Sequence, residues 1–332
     1  GIHAGMPTST AMVKCPKLIV RPPDFEAYSS YSKRFFRILE SFSPDVFKIS
    51  VDEAYIDGYR LQLIFENALE LAKKIKERVE NGLGIPVSIG IGSTKLIAKI
   101  SSGLAKPSGI CMVHEGSEHN FMTDLEIKKV PGIGSKLGKQ LKKFGVYKVG
   151  DLENFSERFW IDRFGKIGRW LNKLPKGNPD NTSLDTRGRA KSIGNSQTFR
   201  EDLKFSEAVK QLKPLALSVG RRARKKGLMG KTVSLKVRYD NFSTFITQIT
   251  LEHYTFFSGE IHKRAKELLS EYKNYNGKFR LLGITLSNLI SSEEGIQLPL
   301  WGRENYEKRV TAYKYTDKLN RKYGKDLSIF LG

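Results

Sequence analysis

A polar, aperiodic stretch at about residues 176–190 divides this chain into two patterned regions. The stretch is rich in Pro, Gly, Asn and Asp and carries no hydrophobic period, which is typical of a linker. A chain of 332 residues with 39% hydrophobic residues can bury more than one core. The sequence therefore predicts a multidomain protein of the α+β class.

Residues 1–116 alternate between helical and strand periods. The predicted elements are a helix at 24–39, a hairpin at 46–59, a helix at 61–79, a strand at 85–91, a helix at 94–104 and a strand at 110–113. This order predicts helices packed on a mainly antiparallel sheet.

The rest of the chain has three further patterns. Residues 117–175 carry only helical periods, and residues 291–332 read as a charged tail. Residues 191–290 predict the order strand, helix, strand, strand, helix, strand, and therefore a small sheet covered by two helices. The helices are expected at 205–226 and 257–272, and the strands include 232–239, 245–251 and 280–286.

Asp52 and Glu53 are adjacent carboxylates between two short runs of β-forming residues. Neighbours in a regular strand point to opposite faces, so both side chains reach one site only if the chain turns there. Two carboxylates held together repel unless a cation lies between them. Hard oxygen ligands without nearby Cys or His suit Mg²⁺ or Mn²⁺. The spacing alone leaves a solvated acidic turn as the alternative.

The formal net charge of +22 indicates a polyanionic partner. Nucleic acid is favoured over an anionic membrane surface, because no basic amphipathic anchor stands out. No apolar run approaches the roughly 20 residues that a membrane span needs. The only cysteines, Cys15 and Cys111, imply no disulfide framework, which fits a reducing cytoplasm.

Two basic segments are candidates for DNA contact. Residues 130–136 lie between two amphipathic helices and resemble a helix-hairpin-helix, in which Gly132, Gly134, Ser135 and Lys136 would present backbone N–H groups and a cation to phosphate. An ordinary αα-hairpin is the alternative, but the flanking lysines favour DNA.

The second basic segment contains Arg221, Arg222 and Arg224 at the end of a predicted helix. A solvated helix face is the usual explanation of such a run. Residues 187–240 carry 15 Lys/Arg against 4 Asp/Glu, however, and this sustained excess favours a surface that follows phosphates.

A short apolar patch interrupts the charged tail, formed by Gln297, Leu298, Leu300 and Trp301. Apolar anchors in such a segment suggest a peptide that docks into a groove of another protein. The alternative is a tail that packs on its own domain.

Together these motifs resemble the Y-family, translesion DNA polymerases, and most closely their bacterial DNA polymerase IV branch. The resemblance covers essentially the whole chain. The segments that carry it are 1–7, 24–32, 50–57, 90–110, 130–134, 191–199, 280–283 and 297–301.

The resemblance implies roles for these residues. Asp52 would coordinate two Mg²⁺ ions, and Glu53 would hold the catalytic one at the primer 3′-hydroxyl. Ser50 and Lys106 would contact the incoming nucleotide. It also implies a palm at 1–116, a thumb at 117–175 and a little finger at 191–290. The expected partners are primer-template DNA, a deoxynucleoside triphosphate and a sliding clamp bound by the tail motif, with the protein a cytoplasmic monomer.

One family motif has no counterpart in the 332 residues, namely an N-terminal strand of the D-x-D-x-F-[FY] type that supplies a third carboxylate. The chain also starts at Gly1, in text that resembles the middle of a domain. We therefore expect that an N-terminal segment is lacking and that this chain alone has little or no nucleotidyl transfer. Two alternatives stay open: a non-catalytic DNA- and clamp-binding module, and a metal-dependent nuclease.

Overall fold

The computed structural model of the protein describes residues 1–58, 67–177, 190–293 and 303–323. The chain forms two compact units, Gly1–Arg187 and Gly188–Gly332. No helix within the described ranges is long and apolar enough to cross a membrane.

The first unit combines helices with four short strands. Its helices are α1 Thr8–Lys14, α2 Phe25–Phe42, α3 Ala68–Leu83, α4 Lys95–Leu104, α5 Glu118–Thr123, α6 Ser135–Lys142, α7 Glu157–Phe164 and α8 Lys166–Lys173. Its strands are β1 Val46–Lys48, β2 Ala54–Ile56, β3 Ile89–Ile91 and β4 Ile110–Met112. Three short 3₁₀ helices lie between or after these elements, at Ile127–Lys129, Gly150–Asn154 and Leu174–Lys176.

The strands of this unit form two separate pairs among the described residues. β1 and β2 make the predicted antiparallel hairpin, with Phe47 opposite Tyr55. β3 and β4 are parallel, so the expectation of a mainly antiparallel sheet is wrong for this pair. The physical reason is the connection, because α4 lies between the two strands and returns the chain to the same end.

Helices α2 and α3 pack on the hairpin through a small core. Phe36, Leu39, Ile75 and Val79 are buried there. The Asp24 carboxylate accepts a hydrogen bond from the backbone N–H of Ala27 and so caps the N-terminus of α2, which begins where the helical period predicts. Part of the second predicted helix, residues 61–66, lies outside the described residues.

Residues 117–177 are helical, as the periods predict, and surround a second core. The indole of Trp160 is buried at its centre and donates a hydrogen bond to the carbonyl of Leu152 at 3.1 Å. A Cβ on Gly168 would lie 1.9 Å from the carbonyl oxygen of Trp160. Only glycine therefore permits α7 and α8 to approach this closely.

The second unit has the predicted order of strands and helices. Its elements are β5 Ser192–Leu203, α9 Phe205–Lys225, β6 Leu228–Tyr239, β7 Thr244–Thr255, α10 Ser258–Ser270, β8 Phe279–Ser291 and α11 Arg303–Tyr323. The strands form one antiparallel sheet in the order β5-β8-β6-β7. Helices α9 and α10 cover one face with a continuous apolar core. The predicted α+β class is confirmed.

Helix α11 corrects the expectation of a simple charged tail after residue 291. Tyr313 is 2% exposed and its hydroxyl accepts a hydrogen bond from the backbone N–H of Gly259. Asp317 forms a two-point ion pair with Arg224, at 2.6 and 3.0 Å. The many charges of the tail obscured a helix that packs on the core through Val310 and Tyr313, although Tyr315 and Leu319 of the same helix are exposed.

Candidate active site and nucleic-acid interface

The two carboxylates lie at the apex of the β1–β2 hairpin, as predicted. The carbonyl of Glu53 accepts hydrogen bonds from the backbone N–H groups of Ile49 and Ser50, at 2.9 and 3.3 Å, and these close the turn. Asp52 is exposed, and one of its carboxylate oxygens accepts a hydrogen bond from the Ser50 hydroxyl at 2.5 Å. Ser50 therefore orients the Asp52 carboxylate.

The Glu53 carboxylate is half-buried and forms an ion pair with Lys99 of α4. α4 packs closely on β3 because Gly90 in that strand leaves room for its backbone: a Cβ there would lie 2.0 Å from the carbonyl oxygen of Ala98. Burial, and secondarily the charge of Glu53, raise the pKa of Tyr55 next to the pair. Sequence reasoning missed Lys99, although its place in an amphipathic helix after a Gly-rich strand was a usable signal.

The loop after α4 carries Lys106 and is bound by hydrogen bonds to Glu80 of α3. The Glu80 carboxylate accepts hydrogen bonds from the Ser108 hydroxyl at 2.6 Å, from the backbone N–H of Val87 at 3.2 Å and from Lys76 at 2.7 Å. These bonds, led by those from Lys76 and Ser108, lower the pKa of Glu80 to about 2. The loop is thereby fixed to the helix.

A cavity of about 1060 Å³ joins these parts of the first unit. Asp52, Glu53, Lys99 and Lys106 all line it, so the hairpin and the loop face one space. Ser50 is not among the lining residues and reaches the cavity through Asp52. The structure therefore brings the predicted catalytic and nucleotide-binding residues of this unit together.

The same cavity continues as an apolar slot between the two strand pairs. Its lining includes residues of β2 and β3 and side chains of the α2–α3 core such as Leu39, Ile75 and Val79. In the described residues, β2 pairs only with β1 and β3 only with β4. Each of these strands thus presents an unpaired backbone edge to the slot.

The donors at the apex are of the right chemical type for a hard divalent cation. Asp52 and Glu53 offer carboxylate oxygens, and Lys99 already places one positive charge against Glu53. The set is small, since no group of three or more potential ligands occurs among the described residues. The two carboxylates fit Mg²⁺ as part of a larger ligand set, completed by phosphate, water or another carboxylate.

The predicted helix-hairpin-helix turn leads into α6. Gly132 has φ 98°, a left-handed conformation that glycine adopts without strain, and the next glycine, Gly134, is the N-cap of α6. Gly134, Ser135 and Lys136 are exposed at the start of the helix. The backbone N–H groups at the start of a helix have no acceptor within the helix, so those of α6 are available to an anion.

The basic run on α9 divides into different environments. Arg221 and Arg222 are exposed, and Arg222 donates a hydrogen bond to the carbonyl of Gly194 on the edge strand β5. The Arg224 side chain is only 9% exposed, because it is held by Asp317 and by the carbonyl of Phe256. Arg224 therefore attaches α11 to the second unit, and its burial argues against the predicted contact with DNA.

One face of the four-stranded sheet carries no helix among the described residues and was missed by sequence reasoning. On β6, Leu235 and Val237 are buried against the helices, so the alternating Ser234, Lys236 and Arg238 face the other side. Neighbouring strands continue this open face with polar residues, interrupted by Ile246 and Leu281: Ser196, Thr198, Gln248, Thr250 and Thr285. The period-2 alternation of β6 was the available signal.

Comparison with known proteins agrees with this architecture. The impB/mucB/samB family matches residues 1–103, the C-terminal domain of that family matches 190–300, and the IMS family HHH motif matches 115–146. The chain is 36% identical over 302 residues to DNA polymerase IV of Clostridium perfringens, covering 90% of this chain and 84% of that protein. It is 32% identical over 329 residues to DNA polymerase IV of Moorella thermoacetica, covering 98% and 81%.

Solved structures give the same answer. A Y-family DNA polymerase chimera of Dbh and Dpo4 superposes with a TM-score of 0.76 at 26% identity, covering 88% of this chain and 84% of the chimera. DinB from Sulfolobus solfataricus superposes with a TM-score of 0.57 at 25% identity, covering 88% and 85%.

Proposed function

The chain belongs to the impB/mucB/samB family, that of the Y-family DNA polymerases, and on this premise we propose that it serves template-directed DNA synthesis past lesions. The observation that carries the proposal is the meeting of Asp52, Glu53 and Lys106 on one cavity. We assign residues 1–116 to the palm, 117–175 to the thumb, 176–190 to a linker and 191–290 to the little finger. Residues 178–189 of this linker lie outside the described residues.

Each residue of the apex has a role in this proposal. Asp52 and Glu53 would hold two Mg²⁺ ions, which Mn²⁺ can replace, and Ser50 orients the Asp52 carboxylate. Bound in this way, two such ions activate the primer 3′-hydroxyl and stabilise the charge on the leaving pyrophosphate. Lys106 contacts the incoming triphosphate, and Glu80 fixes its loop. Lys99 neutralises Glu53 until substrate arrives.

Each of the two units offers a surface of its own for DNA contact. The exposed start of α6 offers backbone N–H groups and Lys136 to phosphate, a contact that is independent of base sequence. In the second unit, Lys236 and Arg238 lie on the open sheet face, where their charges are available to the phosphates of a duplex. Arg221 and Arg222 add positive charge beside it.

The family pattern has a third carboxylate in addition to the two that match Asp52 and Glu53. We propose that a strand of the D-x-D-x-F-[FY] type, not contained in the 332 residues, fills the slot between β2 and β3. Two observations support this: the slot is lined by apolar core side chains, and it is bordered by strand edges that lack a partner within the described ranges. Such a strand would join the two pairs into one sheet and end beside Asp52.

Primer extension tests the proposal. The 332-residue chain and the same chain preceded by the family's N-terminal segment are incubated with Mg²⁺, deoxynucleoside triphosphates and primer-template DNA. We expect extension from the joined protein and little or none from the chain alone. Robust extension by the chain alone would overturn the need for a third carboxylate.

The same reactions separate the rival functions. A joined protein that binds primer-template but never extends it is a non-catalytic DNA-binding module. Labelled duplex that is cut by the chain with Mn²⁺ would instead indicate a nuclease, which we expect not to observe.

Sliding-clamp binding by Gln297, Leu298, Leu300 and Trp301 stays a proposal, since these residues lie outside the described residues. Replacing Leu300 and Trp301 by Ala should abolish measurable clamp affinity if the motif is used. A double variant that binds the clamp like the parent protein would make the motif a coincidence. We further propose a monomeric, cytoplasmic protein.

A further inference from the structure

The turn between β6 and β7 presents one aromatic side chain to solvent in a strained conformation. Phe242 is 64% exposed and has φ 65°, a left-handed backbone that bulky residues rarely adopt. Glycine or asparagine would hold this position at lower cost. A phenylalanine here lowers stability through its backbone strain and through its exposed apolar ring. Backbone strain of this kind concentrates at functional sites.

The turn around Phe242 is rigid. The Phe242 N–H donates to the carbonyl of Tyr239 at 3.0 Å. The Asp240 carboxylate accepts a hydrogen bond from the backbone N–H of Asn241 at 2.9 Å, within the turn, and one from that of Lys278 at 3.1 Å, which ties the turn to the residue before β8. The ring is therefore displayed by a fixed frame.

A cation covers one side of this ring. The guanidinium carbon of Arg280 lies 4.6 Å from the Phe242 ring centroid. Arg280 is itself held by Asp202 at 3.4 Å. A planar group that stacks on the uncovered side of the ring would complete a sandwich of cation, ring and ligand.

The neighbouring Phe245 gives a contrast within the same hairpin. It is 49% exposed, but its ring packs 5.6 Å from that of the buried Tyr239. Phe245 thus belongs to the edge of the core, whereas the ring contact found for Phe242 is the one with Arg280.

We propose that Phe242, backed by Arg280, is a stacking site for an unpaired base of the template strand. The inference rests on the proposed function and deepens it. The adjacent open sheet face, with Lys236 and Arg238, suits the phosphates of a duplex, whereas a lone aromatic ring suits a base with a free π-face. Stacking of this kind accepts any base, which a template-reading protein requires.

The test compares Phe242→Ala, Phe242→Trp and the control Phe245→Ala in the full chain. Affinity is measured by fluorescence anisotropy for a blunt duplex and for the same duplex with a 5′ template overhang. 2-Aminopurine at successive overhang positions reports stacking directly through quenching.

We expect Phe242→Ala to weaken binding of the overhang substrate at least about fivefold, the lower end for loss of one stacked base. It should change blunt-duplex affinity less than twofold and abolish the quenching at one overhang position. Phe242→Trp should restore both signals, and Phe245→Ala should leave the quenching unchanged. Because Ala keeps the Cβ that strains this φ and the ring it removes is 64% exposed, the melting temperature of Phe242→Ala should change little.

Three results would overturn the inference: unchanged overhang affinity in Phe242→Ala, an equal loss for both substrates, or quenching that persists without the ring. Failure of the unsubstituted chain to bind either DNA is a different outcome. It would remove the proposed function, and the stacking site with it. Binding of both DNAs with no effect of Phe242→Ala would remove only the stacking site.

Discussion

The strand pairs of the first unit and the sheet of the second unit differ in how completely their backbone edges are paired and their apolar faces are covered. Each of the four strands in the first unit is three residues long, and they form two separate pairs among the described residues. The four strands of the second unit are 12 or 13 residues long and form one sheet under two helices. Isolated two-stranded ribbons are marginal in water, whereas a four-stranded sheet with a buried face is not.

This difference assigns two properties to different units: the second unit has the more complete hydrophobic core, and the first unit carries the candidate catalytic carboxylates. The second unit supplies a rigid, basic platform whose core is closed by α9, α10 and α11. The first unit holds its carboxylates on a hairpin apex that borders an open slot. A strand added to this slot would change the first unit greatly and the second unit little.

The largest expected effect concerns the apex. In the protein joined to the N-terminal segment, Asp52→Ala should slow primer extension at least about a thousandfold, since a lost metal ligand removes several kcal/mol of charge stabilisation. DNA affinity should stay within twofold, because the duplex contacts lie elsewhere. Glu40→Gln is the control, as Glu40 pairs with Lys48 of the same hairpin outside the cavity. Near-normal extension by Asp52→Ala would break the assignment of the site.

The second effect probes the platform. Arg224→Met should lower the free energy of unfolding of the second unit by about 3 kcal/mol, because it leaves Asp317 without its partner in a mostly buried site. Arg222→Met, at an exposed position on the same helix, should cost far less. Chemical denaturation measures both, and equal values would mean that the Arg224–Asp317 pair adds nothing to the stability of the second unit.

The third effect separates the open sheet face from the carboxylate apex. Lys236→Ala together with Arg238→Ala should weaken duplex binding about tenfold and reduce the slope of log K against log salt by about 2. The rate of extension at saturating DNA should not change. An unaltered salt slope would show that the duplex does not lie on this face.

The smallest effect concerns the Lys106 loop. The pKa of Glu80 in the folded protein, about 2, lies below its ordinary value, so its contribution to stability is full above that ordinary value and is lost as pH falls through about 2. Glu80→Gln, which cannot ionise, should therefore be slightly less stable than the parent at neutral pH, with the gap closing below about pH 4. Urea midpoints across this range measure it, and a pH-independent gap would contradict the assigned cause.

The sequence was sufficient to predict secondary structure wherever one hydrophobic period, helical or strand, ran without interruption. The order of elements in residues 191–290 and the hairpin around Asp52 followed from alternation and from the short range of turn formation. It was insufficient where pairing depends on distant partners. The parallel partnership of β3 with β4, the burial of Arg224 by Asp317 and the contact of Lys99 with Glu53 all join residues that are remote in sequence.

Amide hydrogen exchange at the slot tests the central claim, that the first unit is built to receive a further strand. The N–H groups of Ala54 and Ile56 alternate with the bonded positions 53 and 57 and so point away from β1, and that of Gly90 follows the bonded Ile89 and points away from β4. They should exchange rapidly in the 332-residue chain and at least about a hundredfold more slowly once the D-x-D-x-F-[FY] segment is joined, while Val233 and Ile284 stay protected in both. Slow exchange at Ala54, Ile56 and Gly90 without the segment, or no change when it is joined, would contradict the account.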